Sequence, residues 1–126
     1  MVILALGENQ RPSGESQSKA DISLSKAHTA LFNAVHEVNP RIVTVLFGGR
    51  PLAVPELAAK TNALVEAWLP GSCGCYALAD ILFGRVNPSG RLADTYCYDN
   101  FSSPAMQNFK PTIYGGDTSL IPDSAD

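Results

Sequence analysis

Few side chains in this 126-residue chain are placed by type and spacing to do chemistry, and the most suggestive is Glu15. It stands in Ser13-Gly14-Glu15, inside a polar stretch from Glu8 to Ser23 that holds Pro12 and Gly14 and has neither helical nor strand periodicity. A carboxyl group on such a loop can project into a cleft without being committed to a helix face, and there it can give or take a proton. Against that stands the ordinary fate of a loop glutamate, which is solvation at the surface. Glu8 is the neighbouring candidate and reads as a structural or hydrogen-bonding residue. Cys73, Cys75 and Cys97 are odd in number, and the pair in Cys73-Gly74-Cys75 lacks the other ligands of a closed tetrahedral metal site. They are expected to be free thiols, the first two being small residues at a helix start; metal or redox work is the lesser alternative. No metal and no cofactor are expected. His28 and His36 read as exposed helix residues, and Asp21, Asp80, Asp94, Asp99 and Asp117 as capping, turn or surface residues.

The elements that must position these groups follow from apolar runs and their punctuation. Val2 to Leu6 is a continuous apolar run ended by Gly7, which predicts a strand buried on both faces. The loop holding Glu15 then leaves the carboxyl end of that strand, the edge at which open α/β sheets gather ligands. A helix is predicted from about Lys26 to Val38, with Ser25 as N-cap and an apolar stripe of Leu31, Phe32, Val35 and Val38. Ile42 to Phe47 is a second buried strand ending at Gly48-Gly49. Pro55 opens a short helix through Lys60, Ala63 to Leu69 forms a third strand, and Cys75 to Phe83 a third helix. That helix should end at Gly84 in the left-handed conformation. Asn87-Pro88-Ser89-Gly90 then predicts a tight turn into a short strand beginning near Arg91. Repetition of strand, loop and helix implies an α/β protein with a mostly parallel sheet and flanking helices. Beyond Thr95, Pro104, Pro111, Gly115, Gly116 and Pro122 punctuate a polar tail, so an irregular arm is expected over 99–126, after a domain over 1–98.

Composition excludes more than it assigns. The length suits one domain, and a net charge of −3 offers no basic face for nucleic acid. No apolar run is long enough to span a membrane, and the apolar start lacks a basic leader, so a soluble and preferably cytoplasmic protein is expected. Neither Gly7-Glu8-Asn9 nor Gly48-Gly49-Arg50 has the spaced glycines of a nucleotide-binding loop.

Several short strings taken together identify the chain more closely. Leu82-Phe83-Gly84 followed by Asn87-Pro88-Ser89-Gly90-Arg91-Leu92 resembles an ending of the C-terminal α/β domain of glycoside hydrolase family 3, the family of β-glucosidases and β-xylosidases. In the family's order, the strand ending in Gly7-Glu8 is similar to its Gly-Glu strand, and Ser13-Gly14-Glu15 to its Ser-Gly-Glu loop. Gly49-Arg50-Pro51-Leu52 and Glu66-Ala67-Trp68-Leu69-Pro70-Gly71 follow in turn. The chain departs from the family pattern at Lys19, where members often have arginine, at Ser25 and His28, and at Ser72-Cys73-Gly74-Cys75.

The resemblance implies a flavodoxin-like three-layer sandwich, of which this chain is the later part. It implies a β-glycosidase acting by retention on a β-linked oligosaccharide or aryl glycoside, with Glu15 as the general acid/base. Retention needs two carboxyl groups about 5 Å apart. In the family the second is an aspartate on an N-terminal barrel domain, which has no counterpart here, so the chain alone is expected to be inactive. A donor glutamate must also be lifted above its ordinary pKa of about 4.3, and without barrel and sugar Glu15 is expected to be solvated. The alternative is a noncatalytic carbohydrate-binding or assembly module of the same fold. Missing earlier strands would leave an edge of the Val2 to Leu6 strand, or of its neighbour, unpaired, so a homo-oligomer formed through the exposed sheet edge or a helix face is expected.

Overall fold

The computed structural model describes residues 1–9, 17, 19–94 and 96–99. Glu15 and residues 100–126 of the expected arm lie outside the described residues. Strands β1 (Val2–Gly7), β2 (Ile42–Phe47) and β3 (Ala63–Trp68) pair in parallel and in chain order. Helix α1 (Lys26–Val38) joins the first two, α2 (Pro55–Lys60) the second pair, and α3 (Gly74–Leu82) follows. The α/β class and the order of elements are as the apolar runs imply.

Local rules account for the boundaries. The Ser25 hydroxyl accepts the His28 backbone N–H at 3.3 Å, satisfying one of the donors left open in the first turn of α1. Pro55 opens α2, where its missing N–H costs nothing. α3 ends at Gly84, whose φ of 74° is the left-handed conformation a side chain resists. There the Gly84 N–H donates to Ile81 O at 3.1 Å and the Arg85 N–H to Asp80 O at 2.8 Å.

Register explains which faces are sealed. Leu4 lies opposite Thr44, and Leu6 opposite Leu46, so one side of the sheet carries Leu4, Leu6, Ile42 and Leu46. These pack against Leu24, Phe32 of α1, Leu52, Val54 and Leu57 of α2. Burying each large side chain contributes roughly 1.5–3 kcal/mol. Thr44, fully buried, is satisfied by the Thr61 hydroxyl at 3.0 Å.

The opposite face is covered unevenly. α3 lies over β3, where Ala77, Leu78 and Ile81 face Val65 and Ala67 across a hollow. β1 receives no such cover: Ile3 is 44% exposed and Ala5 is exposed. The expectation of a β1 buried on both faces is therefore corrected, because among the described residues β1 is an edge strand with its helix on one side. Along its other edge β1 pairs with no strand among the described residues.

Two further expectations fail downstream. Residues 87–90 carry no turn, since the Gly84 cap has already redirected the chain and Gly90 has no left-handed φ. The strand expected near Arg91 does not form over 91–94. Leu92 is 61% exposed, and it is the Tyr96 side chain, bonded to Glu66, that ties this segment to β3 in place of a ladder.

Candidate functional site

The carboxyl ends of the three strands converge, and the backbone joins them. The Glu8 N–H donates to Phe47 O at 2.8 Å, and the Gly48 N–H to Trp68 O at 3.2 Å. β1 can approach β2 this closely only because residue 7 is glycine. A Cβ there would lie 1.8 Å from the Phe47 carbonyl oxygen, and its φ of 137° is one that other residues rarely adopt.

On this edge sits an ionic cluster. The Glu8 side chain, first beyond β1, is only 7% exposed and takes Lys19 Nζ on its Oε1. Arg50 Nε lies 3.2 Å from Glu8 Oε2, and Arg50 Nη2 donates to the Gln17 carbonyl at 3.3 Å. Gln17 and Lys19 belong to the loop that leaves β1, and Arg50 to the loop that leaves β2. Taking a carboxylate out of water is costly unless opposite charges replace the lost hydration, and here two cations do so. The cluster thus realises the hydrogen-bonding role read for Glu8. Sequence reasoning noted Arg50 only as part of a resembling string and Lys19 only as a departure from the family pattern.

A second cluster lies at the end of β3. Tyr96 Oη donates to Glu66 Oε2 at 2.5 Å, and the Trp68 N–H to Glu66 Oε1 at 3.1 Å. Burial pushes the Glu66 carboxyl above its ordinary value of 4.5, against the opposing effect of these two donors. The Tyr96 hydroxyl is raised as well, chiefly by burial and then by the bond to Glu66. Trp68 adopts a left-handed φ of 53°, and its ring meets that of Tyr96 edge-on with centroids 6.4 Å apart. The Glu66–Tyr96 pair borders an apolar hollow of about 330 Å³ under Leu46, Leu52, Val54 and Leu64. This cluster was not anticipated. The signal was a charged residue at an inward strand position, Glu66 lying opposite Leu46.

Other candidates resolve simply. Cys73 and Cys75 are free thiols, exposed at the start of α3. The glycine between them is pressed on Pro70, where a Cβ would lie 2.4 Å from that of the proline. No group of three or more His, Cys, Asp or Glu comes together among the described residues. Asp21 accepts the Ser23 N–H at 2.9 Å in a turn, and Asp80 makes an exposed ion pair with Arg85. The histidines depart from the exposed reading: both are partly buried, because α1 turns them onto the domain. His28 Nδ1 accepts the Gly7 N–H at 3.4 Å, and His36 stacks on Phe32 with centroids 5.9 Å apart. No helix among the described residues is long and apolar enough to cross a membrane.

Comparison with known proteins agrees with this architecture. Residues 1–119 match the family described as glycosyl hydrolase family 3 C-terminal domain. A thermostable beta-glucosidase B of Acetivibrio thermocellus is 39% identical over 95 residues, which covers 75% of this chain and 12% of that protein. The crystal structure of a beta-glucosidase from Listeria innocua in complex with isofagomine superposes with a TM-score of 0.75 at 41% identity, over 78% of this chain and 14% of that one. A beta-glucosidase from Kluyveromyces marxianus in complex with glucose gives a TM-score of 0.78 at 34% identity, over 88% and 13%. The chain thus spans about an eighth to a seventh of the length of these relatives.

Proposed function

The chain belongs to the family of glycosyl hydrolase family 3 C-terminal domains, and on that premise we propose that it supplies the acid/base side of a β-glycosidase active site. Glu15 is the general acid that protonates the leaving glycosidic oxygen and then the base that activates water, while the nucleophile is a carboxylate on an N-terminal barrel domain. The substrate is a β-linked oligosaccharide or aryl glycoside. The observation that carries the reading is the anchoring of both described ends of the Glu15 loop, Glu8 and Lys19, at the carboxyl edge of the sheet. Residues 1–98 form the part of the domain that does this work, and 99–126 an arm. The free thiols of Cys73 and Cys75 suit a reducing, cytoplasmic setting. The edge of β1 that pairs with no strand among the described residues suits self-association, which light scattering would reveal as a mass above that of the monomer.

Hydrolysis of an aryl β-glucoside tests the proposal. The chain alone should give no turnover; mixed with a separately made barrel domain it should give turnover that is lost in Glu15→Gln. Turnover by the chain alone, or full activity of Glu15→Gln, overturns it. One observation favours the noncatalytic module instead. Among the described residues Glu8 is committed to cations and Glu66 to hydrogen bonds, so neither stands ready as a nucleophile. Sugar binding without turnover in any mixture would establish that reading.

A further inference from the structure

The edge of β1 that pairs with no strand among the described residues is flanked by a matching surface on α1. The Val2 N–H donates to Arg41 O and the Glu8 N–H to Phe47 O, so the even residues of β1 turn their backbone groups toward β2. Ile3, Ala5 and Gly7 turn theirs outward. The Gly7 N–H is taken by His28 Nδ1, which places this residue of α1 at the outer side of the strand. Ile3 and Ala5, both exposed, present their amides and carbonyls along the edge. At about 3.6 residues per turn, the face of α1 that lies beyond Phe32, His28 and Val35 carries Leu31, Val38, Ala27 and Ala34. All four are exposed, Leu31 at 48% and Val38 at 83%. Being next to His28, they form the flank of α1 that overhangs the outer edge of β1. Soluble proteins ordinarily guard such an edge with charge, yet neither Val2 to Gly7 nor this flank carries a charged side chain.

We propose that this edge and flank are the interface of a two-fold dimer, occupied by a second copy of the chain whose β1 runs antiparallel to the first. The dimer rests on the self-association proposed above and gives it a surface, a symmetry and a register. A two-fold axis sets residues beside their own copies, which an uncharged surface tolerates and a charged one does not. With the axis at Leu4, Ile3 exchanges both backbone bonds with Ala5 of the other copy, and Ala5 does so with its Ile3. The next outward amide, that of Gly7, is already held by His28, which ends the ladder and guards its register. Both α1 helices then lie on one side of the joined sheet. Their flanks meet there, the small Ala27 and Ala34 letting Leu31 and Val38 of the two helices interlock. β1 and α1 each run about 20 Å, and sheet plus helix are about 20 Å deep, so each copy covers about 400 Å². That is at the small end of specific contacts, and it corresponds to a reversible dimer with a Kd of about 10–100 μM. Because the same patch serves both copies, association closes at two.

Analytical ultracentrifugation of the full chain from about 5 μM to about 1 mM tests this, and the mass should rise from monomer to dimer and no further. Leu31→Lys sets like charges across the axis and should raise the Kd at least about tenfold. Ala5→Pro removes only an outward amide, so it should keep the circular dichroism of the fold while weakening the dimer about tenfold. Tyr76→Lys, on an exposed position of α3, should leave the Kd within about twofold. Amide exchange reads the register: over the same rise in concentration Ile3 and Ala5 should slow at least about threefold, while Gly7, bonded within its own copy, changes little. A monomer at every concentration overturns both this interface and the self-association beneath it. A dimer indifferent to Leu31→Lys, or lost in Tyr76→Lys, leaves self-association standing and overturns the β1 edge as its surface. Exchange at Ile3 and Ala5 that ignores concentration overturns it as well, whether or not Ala5→Pro folds. Masses beyond the dimer overturn the two-fold closure.

Discussion

Two glutamates stand at the same edge of one sheet, and their surroundings make them different groups. Glu8 meets an ammonium and a guanidinium, whereas Glu66 meets a phenol hydroxyl and a backbone N–H. Cations replace the hydration a carboxylate loses on burial; neutral donors replace only part of it, which is why burial still raises the Glu66 carboxyl. The first environment fixes a charge and uses it to fasten loops. The second ties a chain segment to β3 by a bond that tolerates a proton on the acid.

The sharpest way to break this contrast is to delete each carboxylate. Glu8→Ala leaves two cations facing a space that water barely enters, and it should cost about 3 kcal/mol in denaturant unfolding. Glu66→Ala removes hydrogen bonds between neutral donors and a half-buried acid and should cost about 1–2 kcal/mol. Equal losses would erase the distinction. Tyr96→Phe should cost about 1 kcal/mol. Because Tyr96 lowers the Glu66 pKa while burial raises it, the same change should move the Glu66 titration further upward, read by NMR of the carboxyl carbon.

The pH dependence has a definite sign. The folded Glu66 holds its proton more tightly than the unfolded chain does, so its contribution is complete below the ordinary value of 4.5 and is lost as pH rises through the folded value. Glu66→Gln should flatten that part of a stability profile measured by urea unfolding. Tyr96 behaves alike above its ordinary value of 10.0, and Tyr96→Phe should remove that alkaline decline. The smallest effect belongs to Glu56→Gln. Its pair with Lys60 is exposed, with side chains 57% and 40% accessible, and its loss should change stability by no more than about 0.5 kcal/mol.

What sequence made legible was whatever depends on neighbours along the chain. The α1 cap, the proline that opens α2 and the glycine that closes α3 each act within a few residues, and all three stand where their chemistry puts them. Apolar runs likewise located the strands. Contacts across the fold left weaker traces. Tyr96 and Glu66 are thirty residues apart, and no local pattern announces their bond. The run Val2 to Leu6 appeared buried on both faces because hydrophobicity records what a residue tolerates, while cover over Ile3 depends on where α3 lies. Asn87-Pro88-Ser89-Gly90 has turn-forming residues, yet the reversal had been completed at Gly84. For the candidate site, the family strings drew attention to the strand exits but not to the ionic partnership there, since Lys19 and Arg50 converge on Glu8 only in three dimensions.

The pairing of strands in the order in which they are synthesised has a consequence for assembly. Each new strand finds its partner already made by the preceding strand and helix, so the search for contacts stays short-ranged at every step. Among the described residues β2 is the only strand flanked on both sides. A lesion in Ile42–Phe47 would thus undo two ladders at once, whereas damage to either outer strand would undo one.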